Sequence, residues 1–311
     1  MIVYGPVPSR RLGRSLGVNH VPPKTCSYSC IYCQLGKTDN MTCERREFYE
    51  AKQITELVEE KLSNPHEAID YVTFVPDGEP TLDVNLGLEI EAVKTLGGKT
   101  AVISNSSLIW MEDVRDDLYK ADWVSLKVDA VTEEMWRRVD RPHGRLRLDH
   151  ILDGLISFAE DYHGVLTTET MLVDGYNDTD EPELVADFIH ELKPDISYVA
   201  LPTRPPAEKW VKPAKEEAVN HAYQVFSETL DNVEYLIGYE GNAFSSTGDF
   251  EYDILSITSV HPMREDGVRD LIRSDDACWG DVDRLINEDK LVELNYQDNR
   301  FYMRRISSRR E

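Results

Sequence analysis

Along the chain, short apolar runs rich in β-branched residues alternate with longer amphipathic stretches. The strand-like runs are SLGVNHV (15–21), IDYVTFV (69–75), TAVISN (100–105), WVSLKV (123–128), GVLTTETMLV (164–173), DISYVAL (195–201) and VEYLIG (233–238). Between them lie the helix-like segments ITELVEEKL, LGLEIEAVKTL, EDVRDDLYK, LDHILDGLISFAEDY, EPELVADFIHELK and EEAVNHAYQVFSETL. Capping chemistry marks some of the junctions, such as Asn-Asp-Thr-Asp at 177–180 before a helix with Glu183 in its first turn. Near-continuously apolar strands separated by helices indicate βα repeats around a parallel sheet. About six such units fit before residue 240, too few to close an eight-fold barrel, so an α/β fold with a partial TIM-like (βα)6 barrel is expected.

After the Gly/Ser-rich GNAFSSTGDF (241–250) the pattern changes. ILSITSVHPMREDGVRDLI predicts a strand-like start and then a helix. WGDVDRLINEDKLVELNYQDNRFYMRRI predicts a helix and then two short strands turned at Asp298-Asn299. This order suggests a small α+β winged-helix-like module at 251–311 behind a core domain at 1–245, although a plain packing domain gives the same pattern. The module carries 10 basic and 14 acidic residues, so DNA binding through it is not expected.

Hydrophobic residues make up 41% of the 311, the composition of a folded globular protein. No apolar run approaches the ~20 residues of a membrane span, and MIVYGPVPSRR lacks the apolar core of a signal peptide, so a cytoplasmic location and no membrane partner are expected. Five cysteines, an odd count with three clustered, argue against a secreted disulfide framework. Lys plus Arg number 34 against 58 Asp plus Glu, a net charge of −24 that repels nucleic acid and anionic lipid at long range. Two islands depart from this balance. Residues 1–48 hold seven basic residues against three acidic ones, and RRVDRPHGRLR (137–147) holds five Arg with Asp140 as its acid. Either island could face an anionic substrate, or both could be ordinary solvated surface.

KTCSYSCIYCQLG places Cys26, Cys30 and Cys33 in the spacing C-x3-C-x2-C. Thiolates suit zinc or iron–sulfur clusters. Structural zinc sites are closed and four-coordinate, usually built from two cysteine hooks. Here the fourth ligand would have to be the isolated Cys43 or His20. The alternative is a [4Fe-4S] cube held at three irons, with the fourth left open for a substrate or cofactor. Cys43 is either a second catalytic thiol or a spectator, and Cys278 beside Trp279 reads as a small buried hydrophobe.

This spacing resembles that of the radical S-adenosylmethionine (radical SAM) superfamily. GPVPSRRLGRSLGVNHVPPKTCSYSCIYCQLG, PDGEPTL, MLVDGYND, RPPAEKWVKP and HPMREDGVRDL are similar to the Fe–S oxidoreductase group related to wyosine-type tRNA-modifying enzymes. The resemblance implies that Cys26, Cys30 and Cys33 ligate the cluster and that Tyr32 lies near the adenine of the cofactor. It implies that Gly78, Glu79 and Pro80 match a GGE-like stretch that holds the methionine amino group, with Asp77 standing where the first glycine is usual. Ser104 and Asn105 would then lie near the ribose or carboxylate, and Gly175 and Asn177 near the adenine. All fall at carboxyl ends of predicted parallel strands, where βα folds gather ligands. Turn chemistry alone would also account for Gly78-Glu79-Pro80, Ser104-Asn105 and Gly175-Asn177. Lys127 and Asp129 are placed to face the same cavity or to form a buried structural pair. Gly97-Gly98 lacks any dinucleotide-binding pattern.

The implied activity is reductive cleavage of S-adenosylmethionine to a 5'-deoxyadenosyl radical that abstracts hydrogen from a substrate. The implied partner is a one-electron donor such as ferredoxin or flavodoxin, and an open-site cluster implies sensitivity to oxygen. The substrate class stays open between a small anionic molecule, a protein or peptide side chain, and tRNA; the acidic body counts against tRNA. Two non-catalytic alternatives also stand at this point: a zinc-stabilised binding protein and a cluster-sensing regulator.

Overall fold

The computed structural model of the chain describes residues 2–64, 68–236, 244, 246–258, 262–296 and 298–305. Each of the seven strand-like runs forms a strand, although residues 237–238 of the last lie outside the described residues. In chain order the first part contains β1 (Val3–Ser9), β2 (Gly13–Val18), two-residue strands β3 (Thr25–Cys26) and β4 (Asn40–Met41), then α1 (Ala51–Leu62) and β5 (Tyr71–Phe74). A 3-10 turn (Pro80–Leu82) follows, then α2 (Leu86–Thr95), β6 (Thr100–Ser104), α3 (Glu112–Leu118) and β7 (Trp123–Lys127). The unit ends with α4 (Glu133–Val139), α5 (Leu148–Asp161), β8 (Val165–Met171), α6 (Glu181–Leu192), β9 (Ile196–Ala200), α7 (Glu216–Thr229) and β10 (Val233–Leu236).

The large sheet has the order β1-β2-β5-β6-β7-β8-β9-β10. From β2 onward every neighbouring pair is parallel, and each crossover between them contains at least one helix. Residues on both faces of these strands are buried, Thr73, Ala101 and Ser125 as well as Val72, Phe74 and Val124, which is why the strands read as apolar runs rather than as clean alternations. Val72, Phe74, Val102, Val124 and Leu126 are almost fully buried. They pack with helix residues at three- and four-residue spacing, such as Ile151, Leu155 and Phe158 of α5. Removing each such side chain from water contributes about 1.5–3 kcal/mol.

Besides β3, β4 and α4, which the sequence pattern does not predict, two further elements differ from the sequence expectation. VYGPVPS forms β1, an antiparallel edge strand on β2 with an irregularity between Tyr4 and Val7. Pro6 and Pro8 mask the strand signal, and an edge is where a sheet tolerates proline. The second difference is ILSI, which lies in α8 (Phe250–Ile257) rather than a strand. Asp249 caps it by accepting from Tyr252 N at 3.1 Å, and Phe250, Ile254 and Ile257 bury one helical stripe.

Beyond α8 come β11 (Met263–Arg264), α9 (Glu265–Ser274), α10 (Trp279–Asn287), β12 (Leu291–Tyr296) and β13 (Asn299–Arg304). Their three strands form a second sheet, antiparallel, in the order β11-β13-β12. Phe250, Ile254, Met263, Val268, Val282, Leu285 and Tyr302 form a separate buried cluster, against which Val7 of β1 packs. Cys278 is exposed at the start of α10 rather than buried as expected. Among the described residues no helix is long and apolar enough to cross a membrane.

Candidate functional site

The loop from β2 to α1 carries the three clustered cysteines. It is pinned at Cys26, whose strand β3 pairs with β4 and whose carbonyl accepts from Thr42 N at 3.0 Å. Its centre is bonded to the end of α4: Ser29 N–H reaches Asp140 O at 3.0 Å, and Ile31 N–H reaches Val139 O at 3.0 Å. Tyr28 sits edge-on to Trp136 and accepts from its indole N–H at 2.9 Å. Gly78 closes the site from the end of β5. A Cβ there would lie 2.0 Å from the Thr25 carbonyl oxygen, so only glycine permits this approach.

Glu79 is almost fully buried, and its carboxylate faces Ser104 and Asn105. It accepts from Ser104 Oγ at 2.7 Å, Asn105 N at 2.8 Å, Thr81 Oγ1 at 2.6 Å and Thr81 N at 3.1 Å. Burial raises its pKa, and these donors oppose the rise. Three of these bonds fall on Oε1 and one, from Asn105 N, on Oε2, so Glu79 holds two strand ends together. Pro80 starts the 3-10 turn, and its carbonyl accepts from His20 Nε2 at 3.1 Å. Asn105 Nδ2 reaches back to Ser27 Oγ at 3.0 Å and Cys26 Sγ at 3.4 Å. Asp77, in the place of a glycine, is bonded reciprocally to Asn19: it accepts from Nδ2 and donates from its own N–H, both at 2.9 Å. Burial pushes its carboxyl up to about 7.

On the β7 side, Tyr32 Oη donates to Asp129, and Lys127 Nζ stands 5.0 Å from the centre of the Tyr32 ring. Lys127 also contacts Glu169 at 2.9 Å and Asp129 at 3.4 Å, and Arg11 meets the other Glu169 oxygen at 2.5 Å. Burial opposes both charges, but the partners win. Glu169 is held down to about 2, and Lys127 well above the usual lysine range. A small cavity of about 20 Å³ lies among Tyr28, Tyr32, Asn105, Lys127, Asp129 and Asp140. Asn177 is buried: its side chain accepts from Val173 N at 2.9 Å and donates to Asp129 O and Met171 O, both at 2.8 Å. Gly175, at φ +71°, allows the turn in which its N–H meets Asp178 Oδ1 at 2.9 Å.

The structure thus brings the three cysteines, Tyr32, Gly78, Glu79, Ser104 and Asn105 into one neighbourhood. Gly175 and Asn177 shape its β8 side from the turn behind Asp129. Three polar contacts escaped the sequence. Asp140 approaches Cys30 Sγ at 3.5 Å, His143 Nδ1 approaches Cys43 Sγ at 3.5 Å, and Glu169 joins Lys127 to Arg11. Asp140 and His143 both lie in the second arginine island, about a hundred residues from their partners. The island's arginines are self-neutralised: Arg137 with Glu133, Arg138 with Glu134, Arg141 with Glu208, Arg145 with Glu44 and Arg147 with Asp149. No free basic patch for an anionic substrate results from them.

The donor set fits an iron–sulfur cluster. Burial pushes Cys26 up to about 12 and raises Cys30 and Cys33, each with neighbouring negative charge adding to the effect. Three half-buried thiols with raised pKa values become thiolates on binding a cation. Among the described residues no three His, Cys, Asp or Glu side chains converge on one point as a single metal ion requires. A cube takes its thiolates at separate corners and needs no such convergence. The two residues offered as a fourth zinc ligand are engaged elsewhere, His20 on Pro80 and Cys43 on His143.

Residues 21–189 match the family model described as the radical SAM superfamily. The UPF0026 protein MJ1312 of Methanocaldococcus jannaschii is 47% identical over 312 residues, covering 99% of this chain and 97% of its own. Among solved structures, that of TYW1 with a lysine-pyruvate adduct bound aligns with a TM-score of 0.54 at 17% identity, over 70% of this chain and 74% of that one. Streptococcus suis SuiB bound to S-adenosylmethionine aligns with a TM-score of 0.53 at 17% identity, over 71% of this chain and 50% of that one. At such identity the two structures speak for the fold.

Proposed function

Since this chain belongs to the radical SAM superfamily, and is a radical SAM enzyme that binds a [4Fe-4S] cluster and S-adenosylmethionine, we propose that Cys26, Cys30 and Cys33 hold the cluster and that its substrate is a small molecule or a peptide side chain. The observation that carries the assignment is the loop 26–33 itself, three thiols in one polar cradle closed by Gly78. When bound, the cluster supplies the electron that splits S-adenosylmethionine reductively.

The chain's own residues do the positioning. Asn105 donates to Cys26 Sγ and Ser27 Oγ, which fixes the first thiol of the loop. Tyr32, held by Asp129 and Lys127, offers a fixed ring beside the cavity for the adenine. Glu79, Ser104 and Asn105 lock the ends of β5 and β6, so the backbone at Gly78 and Pro80 is left rigid for the methionine end. Gly175 and Asn177 shape the opposite wall. A net charge of −24 and self-paired arginines count against an extended nucleic-acid footprint.

The six parallel crossovers support a partial barrel at 1–245, and the element order α8-β11-α9-α10-β12-β13 supports a winged-helix-like module at 251–311. That module reads as a packing domain, because its helices and strands are acidic overall and many of its cations are paired internally. A cytoplasmic setting accords with five cysteines that form no disulfide, one of them, Cys278, exposed.

The test is anaerobic reconstitution with iron and sulfide. Bound iron near four per chain, with 5'-deoxyadenosine formed after adding S-adenosylmethionine and dithionite, is the expected result. Cys30→Ala should lose both. Product that persists in that variant would overturn the ligand assignment, and stoichiometric zinc without iron would overturn the cluster.

A further inference from the structure

The loop between β9 and α7, residues 201–215, carries Arg204, Lys209, Lys212 and Lys215 against one acid, Glu208, within a chain of net charge −24. It is strapped to the cysteine loop. Glu208 N–H donates to Ile31 O at 3.2 Å, and Arg204 Nη1 donates to Gln34 Oε1 at 2.7 Å. Glu208 is shared by Arg141 at 2.6 Å and by Lys37, from the cysteine loop itself, at 3.4 Å. The inner side of the strap is apolar: Val211 is buried with Ile31 and Val173. Its outer side is not. Lys209, Lys212 and Lys215 are exposed, Trp210 is 47% exposed, and Lys37 beside them is 67% exposed. Trp210 is stacked on Tyr176 at 5.4 Å, and Arg138 stands 4.8 Å from that same Tyr176 ring.

We propose that this outward face is where a small acidic electron-carrier protein, with a flavin or iron–sulfur centre, docks to deliver electrons. The inference rests on the cluster reading above. One electron leaves the carrier's centre and enters the cluster, with no group or proton transferred. Two acidic proteins repel each other over most of their surfaces, and a local patch of opposite sign steers encounter to one place. Here that place is the outer side of the loop that bears Cys30 and Cys33. Lys215 pairs with Asp174 at 3.6 Å and Lys37 with Glu208, so the charge offered to a partner is chiefly that of the exposed Lys209 and Lys212, and their exposure to solvent suits a macromolecule. An exposed aromatic among cations supplies the apolar contact that interfaces favour.

The test compares two reductants on the reconstituted enzyme, reading 5'-deoxyadenosine formation at low ionic strength. One is dithionite, and the other is an acidic flavodoxin kept reduced by its reductase. The double variant Lys209→Glu/Lys212→Glu should slow the flavodoxin-driven rate by about tenfold or more and leave the dithionite-driven rate within about twofold. Lys209→Gln/Lys212→Gln should fall between, and the wild-type flavodoxin-driven rate should drop as salt is added. An unchanged flavodoxin-driven rate overturns the proposal. So does an equal loss with both reductants, which would assign the patch to substrate or cofactor. Failure of the cluster reading is separate: the wild type would then give no product even with dithionite.

Discussion

Glu79 shows what a buried carboxylate can be asked to do. Its four donors come from Thr81, Ser104 and the backbone of Asn105, so it holds the β5 and β6 ends in one arrangement beside Cys26. Glu79→Gln replaces one accepting oxygen by an amide that faces donors. The metal-free protein should lose about 2–3 kcal/mol, measured by urea unfolding, because a buried mismatch costs the desolvation of the groups left unpaired. Iron uptake should fall with it. Unchanged stability would mean that these bonds do not hold the strand ends. At this scale the three cysteines were readable by their spacing, and Gly78 and Glu79 only through the family resemblance. Their partners were not. Asn19 compensates for Asp77, and Asp140 meets Cys30, across 58 and 110 residues respectively, and no local pattern encodes such contacts.

Among elements, Arg45 and Glu89 mark the joint between the cysteine loop and helices α2 and α3. Arg45 reads in the sequence as one of seven basic residues of the first island, yet its side chain is only 6% exposed. It pairs with Asp113 and Asp117 of α3 and donates to the carbonyls of Thr81 at 3.0 Å and Asp83 at 2.9 Å. Arg45→Met should destabilise the protein by about 3 kcal/mol, since it strands half-buried Asp117 and two carbonyls without their donor. Adding Asp117→Asn should recover part of that loss; strictly additive effects in a double-mutant cycle would deny the pairing. Strands and long helices were legible because burial on both faces leaves apolar runs and stripes, whereas α4 was hidden under its arginines and β1 under its prolines.

Glu89 of α2 is fully buried, and neither carboxylate oxygen has a partner among the described atoms. Burial, reinforced by Asp83 and Asp117, pushes its pKa from 4.5 up to about 9. Between those values the folded state binds the extra proton, so the group's contribution lowers stability as pH rises, by up to about 1.4 kcal/mol per unit. Glu89→Gln removes this penalty. The variant should be more stable than the parent at pH 7.5 by on the order of 2 kcal/mol, and the difference should shrink towards pH 5. Parallel unfolding curves for the two proteins across that range would refute the assignment.

At the scale of the whole molecule, charge acts with two signs. An excess of 24 carboxylates over cations repels itself, while most of the described arginine pairs lie at the surface and add little each. Raising salt from about 10 mM to about 150 mM shortens the screening length from roughly 30 Å to roughly 8 Å. Long-range repulsion should weaken more than the short contacts, so the thermal midpoint should rise with salt. The same titration should slow reduction by an acidic carrier, because steering to the Lys209–Lys212 face depends on the charges being unscreened. A stability that rises and a carrier-driven rate that falls over one salt series would separate the general field of the acidic body from the local field of the strap. If both moved together, the local reversal of charge would carry no weight in solution, and the docking face would have to be sought elsewhere on the cysteine loop.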